Sequence, residues 1–246
     1  MKNLHLFCLP YAGAISEMAF SKFLPQNSSE IEFCPLELPG RGKKCDQKLE
    51  KSIDGMIDRL LNDELLPKIS DNKQYALWGH SMGGILAREL IQRLDSMSSV
   101  NLPCSVIVTG TSSPMSHVDQ EQIYKLPIDE FEKKIISYGY SNSSMIFSNR
   151  ELKNYFMPIL LADFEALNTY EYKTGSKPNV DLFIMSGNDD VCTSQENLSG
   201  WKEESSSKCE FYSMEGGHFF PFEKIGEFTE FIKKVLISNE NYSIIK

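Results

Sequence analysis

Tyr75-Ala76-Leu77-Trp78-Gly79-His80-Ser81-Met82-Gly83-Gly84-Ile85-Leu86 is the stretch that decides how this chain folds. Tyr75 to Trp78 form an apolar run of strand length. Glycines stand two places before and two places after Ser81, and apolar residues at helical spacing follow at once: Ile85, Leu86, Leu90, Ile91 and Leu94. A G-x-S-x-G sequence between a strand and a helix that begins near Gly84 is the pattern of a nucleophile elbow, a turn too tight for side chains on its flanks. Such a turn lifts the serine above the sheet end at a helix N-terminus, where the helix dipole favours a developing negative charge.

The same alternation extends in both directions. Leu4 to Leu9, Ile31 to Leu38, Ser105 to Thr109, Leu182 to Met185 and Glu210 to Met214 are further strand candidates, the second ended by Pro39-Gly40. Runs apolar on both faces suit a parallel sheet covered by helices. Ile53, Ile57, Leu60, Leu61 and Leu65 recur at helical spacing, as do Ile225, Phe228, Phe231, Ile232 and Val235. Strand–helix alternation with an elbow predicts an α/β protein of the α/β-hydrolase fold, a doubly wound, mostly parallel sheet. From about Pro114 to Tyr172 no strand is predicted. Helical patterns there are broken by Pro127, Gly139 and Pro158, and an insertion of this length between core strands reads as a helical lid over the site. The tail after Ser238 reads as frayed.

A length of 246 residues fits a single domain, 1–246, with this insertion (about 114–172) better than two domains. Hydrophobic residues at 41% and charged ones at 24% exclude intrinsic disorder. A net charge of -9 repels phosphate backbones and anionic bilayers, so neither nucleic acid nor a membrane is an expected partner. The apolar run at the start is too short for a signal peptide and is broken by Pro10, and no stretch reaches the roughly 18 apolar residues of a membrane span. The six cysteines are scattered, without a C-x-x-C pair. Cys8, Cys34, Cys104 and Cys209 lie in or beside apolar runs, which reads as small buried hydrophobes in a reducing, cytoplasmic compartment.

A serine hydroxyl needs an adjacent base to become a nucleophile. The histidines are His5, His80, His117 and His218. His5 lies in the first strand, His80 inside the elbow, and His117 at the start of the insertion. His218, in Glu215-Gly216-Gly217-His218-Phe219-Phe220, follows the last strand, where this fold places its base. The acid that orients the imidazole belongs after the fifth strand, in Ser186-Gly187-Asn188-Asp189-Asp190-Val191, where either aspartate serves. One oxyanion donor is the backbone N–H of Met82. The other comes from the loop Pro10-Tyr11-Ala12-Gly13-Ala14, with Ala12 preferred and Tyr11 the alternative. No metal-ligand spacing, Walker loop or dinucleotide fingerprint is present, so neither metal nor cofactor is expected.

Taken together, these pieces resemble the type II thioesterases that accompany non-ribosomal peptide and polyketide synthases. The resemblance runs from Leu6 to about Val235 and rests on Leu9-Pro10-Tyr11-Ala12-Gly13, Leu38-Pro39-Gly40-Arg41-Gly42, the elbow, Pro158 to Tyr170, Gly187 to Asp190 and Gly217-His218-Phe219-Phe220. It implies hydrolysis of acyl groups from the phosphopantetheine arm of acyl or peptidyl carrier proteins, with Ser81 as nucleophile and His218 as base; a monomer is expected. The family's aspartate lies three residues after the glycine of the acid loop, which selects Asp190 over Asp189. The chain departs from the family at Leu161, Ala14 and Val191, where arginine, glycine and proline are usual.

Carrier proteins of this kind are acidic, so the densest basic stretch, Arg41 to Lys51, with Arg41, Lys43 and Lys44 at its start, is the expected contact for carrier or arm phosphate. Two other readings compete. A small-substrate carboxylesterase or acyl-CoA thioesterase would use the same triad, and a non-catalytic binding protein would share the fold.

Overall fold

A computed structural model describes residues 4–69, 74–117, 121–139, 143–193 and 195–237, without the side chains of His117 and Gln195. The tail expected to fray lies outside them. The strands are β1 (Leu4–Leu9), β2 (Ile31–Pro35), β3 (Tyr75–His80), β4 (Ser105–Thr109), β5 (Asp181–Gly187) and β6 (Cys209–Met214). The helices are α1 (Ser16–Ala19), α2 (Ile53–Arg59), α3 (Met82–Asp95), α4 (Ile128–Ser137), α5 (Ser143–Ser148), α6 (Arg150–Asn168), α7 (Gln195–Leu198), α8 (Phe220–Glu223) and α9 (Ile225–Ile237).

The strands form one sheet in the order β2-β1-β3-β4-β5-β6, and every neighbouring pair is parallel. The chain steps outward from β1 to β2, then returns across β1 to β3 and continues the other way. Helices consequently cover both faces, and a crevice opens at the carboxyl ends of β1 and β3, where the order reverses.

Alternation of side chains along each strand builds two cores. On one face Phe7, Leu9, Leu77, Val106 and Val108 pack with α2, α3 and the insertion helices. On the other, Leu6, Cys8, Ala76, Trp78 and Ile107 pack with Phe20 and Phe23 and with Phe228 and Ile232 of α9.

Several local expectations are corrected. The strand of the elbow reaches His80 and the helix starts at Met82, two residues on either side of the sequence estimate. The helix expected over 53–65 widens into a π-helical segment at Leu60–Leu65. Pro158 does not break α6, which runs through it, because the ring sits on the exposed face and the lost intrahelical bond is open to water. Pro127 stands at the N-cap of α4, and Gly139, at φ +77°, stops it in the left-handed conformation common after a helix C-cap. Cys104 is exposed rather than buried, since it precedes β4 instead of lying within it.

The elbow rests on backbone contact. A Cβ on Gly79 would overlap the carbonyl of Gly83, and one on Gly83 would lie 2.5 Å from the Leu9 carbonyl oxygen. Gly226, in α9, has nothing within 4 Å of an added Cβ. Gly79→Ala is expected to destabilise the protein by at least about 3 kcal/mol, because backbone cannot move aside as a side chain can. Gly226→Ala should be neutral or slightly stabilising. Denaturant unfolding of the two variants checks the contrast.

Candidate active site

The tight turn after β3 forces Ser81 to φ +54° and ψ -119°, the one positive φ among the described non-glycine residues. The Ser81 N–H donates to the Thr109 carbonyl at 2.9 Å, and Thr111 Oγ1 donates to the Ser81 carbonyl at 2.8 Å. Both ends of the strained residue are thus fixed to the chain leaving β4.

The loops after β5 and β6 meet over a glycine. A Cβ on Gly187 would fall within 2.5 Å of the Gly217 carbonyl oxygen, and the Asp189 N–H donates to Gly216 at 3.0 Å. This contact brings Asp190 under His218. His218 Nδ1 lies 3.1 and 3.0 Å from the two Asp190 carboxylate oxygens, and Nε2 lies 3.1 Å from Ser81 Oγ. Asp190 also accepts from the Cys192 N–H and the Thr193 hydroxyl, each at 2.8 Å. Asp189 is exposed. A neutral imidazole with Nδ1–H on the carboxylate leaves Nε2 free to accept the serine proton.

Ser81, His218, Met82 and Ala12 line a cavity of about 320 Å³. Its roof comes from the insertion, through Ile123, Tyr138, Phe164 and Leu167. Thr111, which fixes the elbow, and Thr193, which holds the acid, were not singled out from the sequence. The Thr111 hydroxyl acts across 30 positions, so no local pattern reveals it, whereas Thr193 bonds Asp190 from three residues on within one loop, a contact the local sequence could have suggested. Asp190, Cys192 and His218 bring ligand-type atoms within 4.8 Å of one another, but two of these residues are already bonded to each other.

The thioesterase domain family model matches residues 4–236. The chain belongs to that family. Gramicidin S biosynthesis protein GrsT of Aneurinibacillus migulanus is 28% identical over 95% of this chain and 89% of its own. The medium-chain S-acyl fatty acid synthase thioesterase of Homo sapiens is 26% identical over 94% of this chain and 85% of its own. Among solved structures, YbtT, a type II thioesterase from the yersiniabactin pathway, matches with TM-score 0.83 at 25% identity, covering 95% of this chain and 92% of its own. ClbQ, from the colibactin pathway, shares the fold with TM-score 0.85 at 24% identity, over 95% and 97% of the two chains.

Electrostatics in this thioesterase set the two neighbouring histidines apart. Burial alone would lower the His218 pKa, but bonds to Asp190 and Cys192 and the carboxylate charge outweigh it and raise the pKa to about 9. Burial likewise opposes ionisation of Asp190, and its bond to His218 and the imidazolium charge reverse that and lower its pKa. His80, 5.0 Å from His218 between ring centres, is pushed well below the ordinary value by burial and then by the His218 charge. Trp78 Nε1–H donates to Thr109 Oγ1 at 3.0 Å, and the same hydroxyl lies 3.0 Å from His80 Nδ1. Burial and the neighbouring charge thus favour a neutral His80 behind the His218 imidazole.

The basic stretch after β2 is not the open surface expected from the sequence. Arg41 is fully buried and forms a bidentate pair with Asp163 at 2.6 Å. Lys44 is 13% exposed and bound to Glu64 at 2.6 Å. Lys43, 79% exposed beside Glu17, alone of the three lies at the surface. A run of charges in sequence carries no record of which members fold inward.

A base must be neutral to accept the serine proton, so kcat/KM should rise with pH and level off only as His218 deprotonates near pH 9. Asp190→Asn removes the foremost cause that raises this pKa. The acid limb should then move to lower pH while the plateau falls by about 10⁴, whereas Asp189→Asn should stay within about twofold of wild type. pH–rate profiles of the three proteins check this.

Proposed function

We propose that this protein hydrolyses acyl thioesters carried on the phosphopantetheine arm of carrier proteins, with Ser81, His218 and Asp190 as the catalytic triad. The observation that carries the reading is the unbroken chain from Ser81 Oγ through His218 to Asp190 at a cavity large enough for an acyl group. In this mechanism Ser81 Oγ attacks the thioester carbon and its proton passes to His218 Nε2. The N–H groups of Met82 and Ala12 receive the oxyanion. The C–S bond breaks, the thiol leaves with the proton from His218, and a water activated by the same imidazole releases the acid from the acyl-enzyme.

Carrier proteins are favoured as acyl donors because relatives that match most of this chain include a gramicidin S biosynthesis protein and a type II thioesterase of an NRPS/PKS pathway. The protein is proposed to work as a monomer in the cytoplasm. Among the described residues no helix is long and apolar enough to cross a membrane. The insertion at 114–172 is proposed to open as a lid, since it supplies the cavity roof. Lys43 remains the proposed carrier contact.

Ser81→Ala should lower kcat by on the order of 10⁶ with an unchanged melting temperature; residual activity above about 1% would remove Ser81 from the nucleophile's role. Wild-type kcat/KM should favour an acyl-carrier protein over the matching acyl-CoA by at least about tenfold, or 1.4 kcal/mol. Equal values would favour a small-substrate enzyme. In hydrogen exchange, α4 and α5 should open faster than β3 and β4. Equal protection would make the insertion a rigid part of the core.

A further inference from the structure

We propose that Asp190, Cys192 and His218 form a zinc site whose occupation switches the enzyme off. The inference rests on the triad reading given above.

The three residues come together through the sheet. Asp190 and Cys192 stand on the loop after β5 and His218 on the loop after β6, and these strands are parallel neighbours, so both loops leave the same edge. No spacing in the sequence announces the set, because His218 stands 28 positions after Asp190. One ligand-type atom from each residue lies within 4.8 Å of the other two. His218 Nδ1 is the nitrogen that faces the carboxylate, 3.1 and 3.0 Å from its oxygens. Around a tetrahedral zinc ion, bonds of about 2.0–2.3 Å place ligand atoms about 3.4–3.6 Å apart. The imidazole and carboxylate need to part by only a few tenths of an ångström, and the sulfur to close by no more than about 1.3 Å.

The chemistry of the set selects the metal. Thiolate, imidazole and carboxylate together suit zinc, whereas magnesium and calcium take oxygen ligands. The outer contacts of such a site are in place. Asp190 accepts from the Cys192 N–H and the Thr193 hydroxyl, and the far ring nitrogen lies on Ser81 Oγ, as ligating carboxylates and imidazoles require. The ion also has a way in, since Cys192 is partly exposed and lines the cavity that holds Ser81 and His218. The catalytic cycle proposed above gives the Cys192 thiol no task.

Zinc here undoes the base. The ion takes the Nδ1 lone pair, the thiol gives its proton to solvent, and the ring keeps one proton, now on Nε2. No electron is transferred. Nε2–H then faces Ser81 Oγ as a donor, so no lone pair remains for the serine proton. The ring is held in the tautomer opposite to the one catalysis needs.

The test follows hydrolysis of an acyl-carrier protein, read from the acid released, at free zinc concentrations fixed by a chelating buffer. Wild type and Cys192→Ala are each compared with their own zinc-free rate. Saturating zinc should lower wild-type turnover by about 10⁴, the cost of a wrong histidine tautomer, and EDTA should restore it. Half-inhibition of Cys192→Ala should need at least about a hundredfold more free zinc, since even an outer-shell partner is worth 10–100-fold in affinity. Cys192→Ser takes its place if the alanine variant does not fold. Cobalt(II), a coloured substitute for zinc, should show a tetrahedral thiolate spectrum in wild type that Cys192→Ala lacks. Ser81→Ala keeps all three ligands and should give the wild-type spectrum, so metal binding is read apart from catalysis; activity retained by that variant would overturn the Ser81 mechanism instead. Half-inhibition of wild type and Cys192→Ala at the same free zinc would overturn the site. So would wild-type turnover that zinc leaves unchanged, with or without a cobalt spectrum.

Discussion

The backbone of Ser81 is the constraint on which the site is built. A residue held at φ +54° and ψ -119° costs on the order of 1–3 kcal/mol and persists only where its surroundings overdetermine it. Here they do so from three strands. Gly79, at the end of β3, packs on Gly83, and Gly83 packs on the Leu9 carbonyl at the end of β1. A Cβ on Gly84 would run into the Thr111 side chain beyond β4. Gly79 and Gly83 act less as flexible residues than as points where backbone must touch backbone, and Gly84 leaves room for the Thr111 side chain. The parallel sheet brings the three chain ends to one edge, and contact between them keeps the serine raised.

Charge is distributed with equal economy. Of the two packed histidines, His218 is favoured as the charged one, while burial and that charge hold His80 neutral against it. Asp190 is satisfied by His218, a backbone N–H and a hydroxyl, as a buried carboxylate must be. The other buried carboxylate of this region, Asp163, is satisfied by arginine and by Gly13. Asp190 thus holds the imidazole and Asp163 the first loop.

What was legible in the sequence was local or fixed by chain order. The elbow, the strands and the loops bearing His218 and the acid could be read because glycine spacing and apolar runs are local signals, and this fold visits its site in a set order. Choosing Asp190 over Asp189 depended on family resemblance, and the geometry explains the offset: the turn from Gly187 points residue 189 to solvent and residue 190 to the imidazole. Arg41 was misread because its partner lies 122 positions away, and a guanidinium among lysines gives no sign that it will be buried. Thr111 stayed invisible for the same reason, since its contact with Ser81 spans 30 positions, whereas Thr193 lies only three residues from Asp190 and was overlooked in a local turn. Pro158 misled because the penalty of a helical proline depends on which face it occupies.

Helix α6 joins two tasks usually treated apart. Asp163 points from it to the first loop, while its neighbours Phe164 and Leu167 line the cavity that would receive the acyl group. Helical geometry places residues three and four apart on adjoining parts of one face, so a shift of α6 that reshapes the cavity also moves the carboxylate under Gly13. The cavity wall and the first loop are therefore mechanically linked through one helix. A poorly fitting acyl group that displaces α6 would disturb the loop that brings Ala12 to the cavity beside Ser81, so selectivity would be expressed in turnover as well as in binding. Discrimination of that kind suits an enzyme that must act on some acyl thioesters and leave others intact, because it withholds catalysis from a group that still enters the cavity.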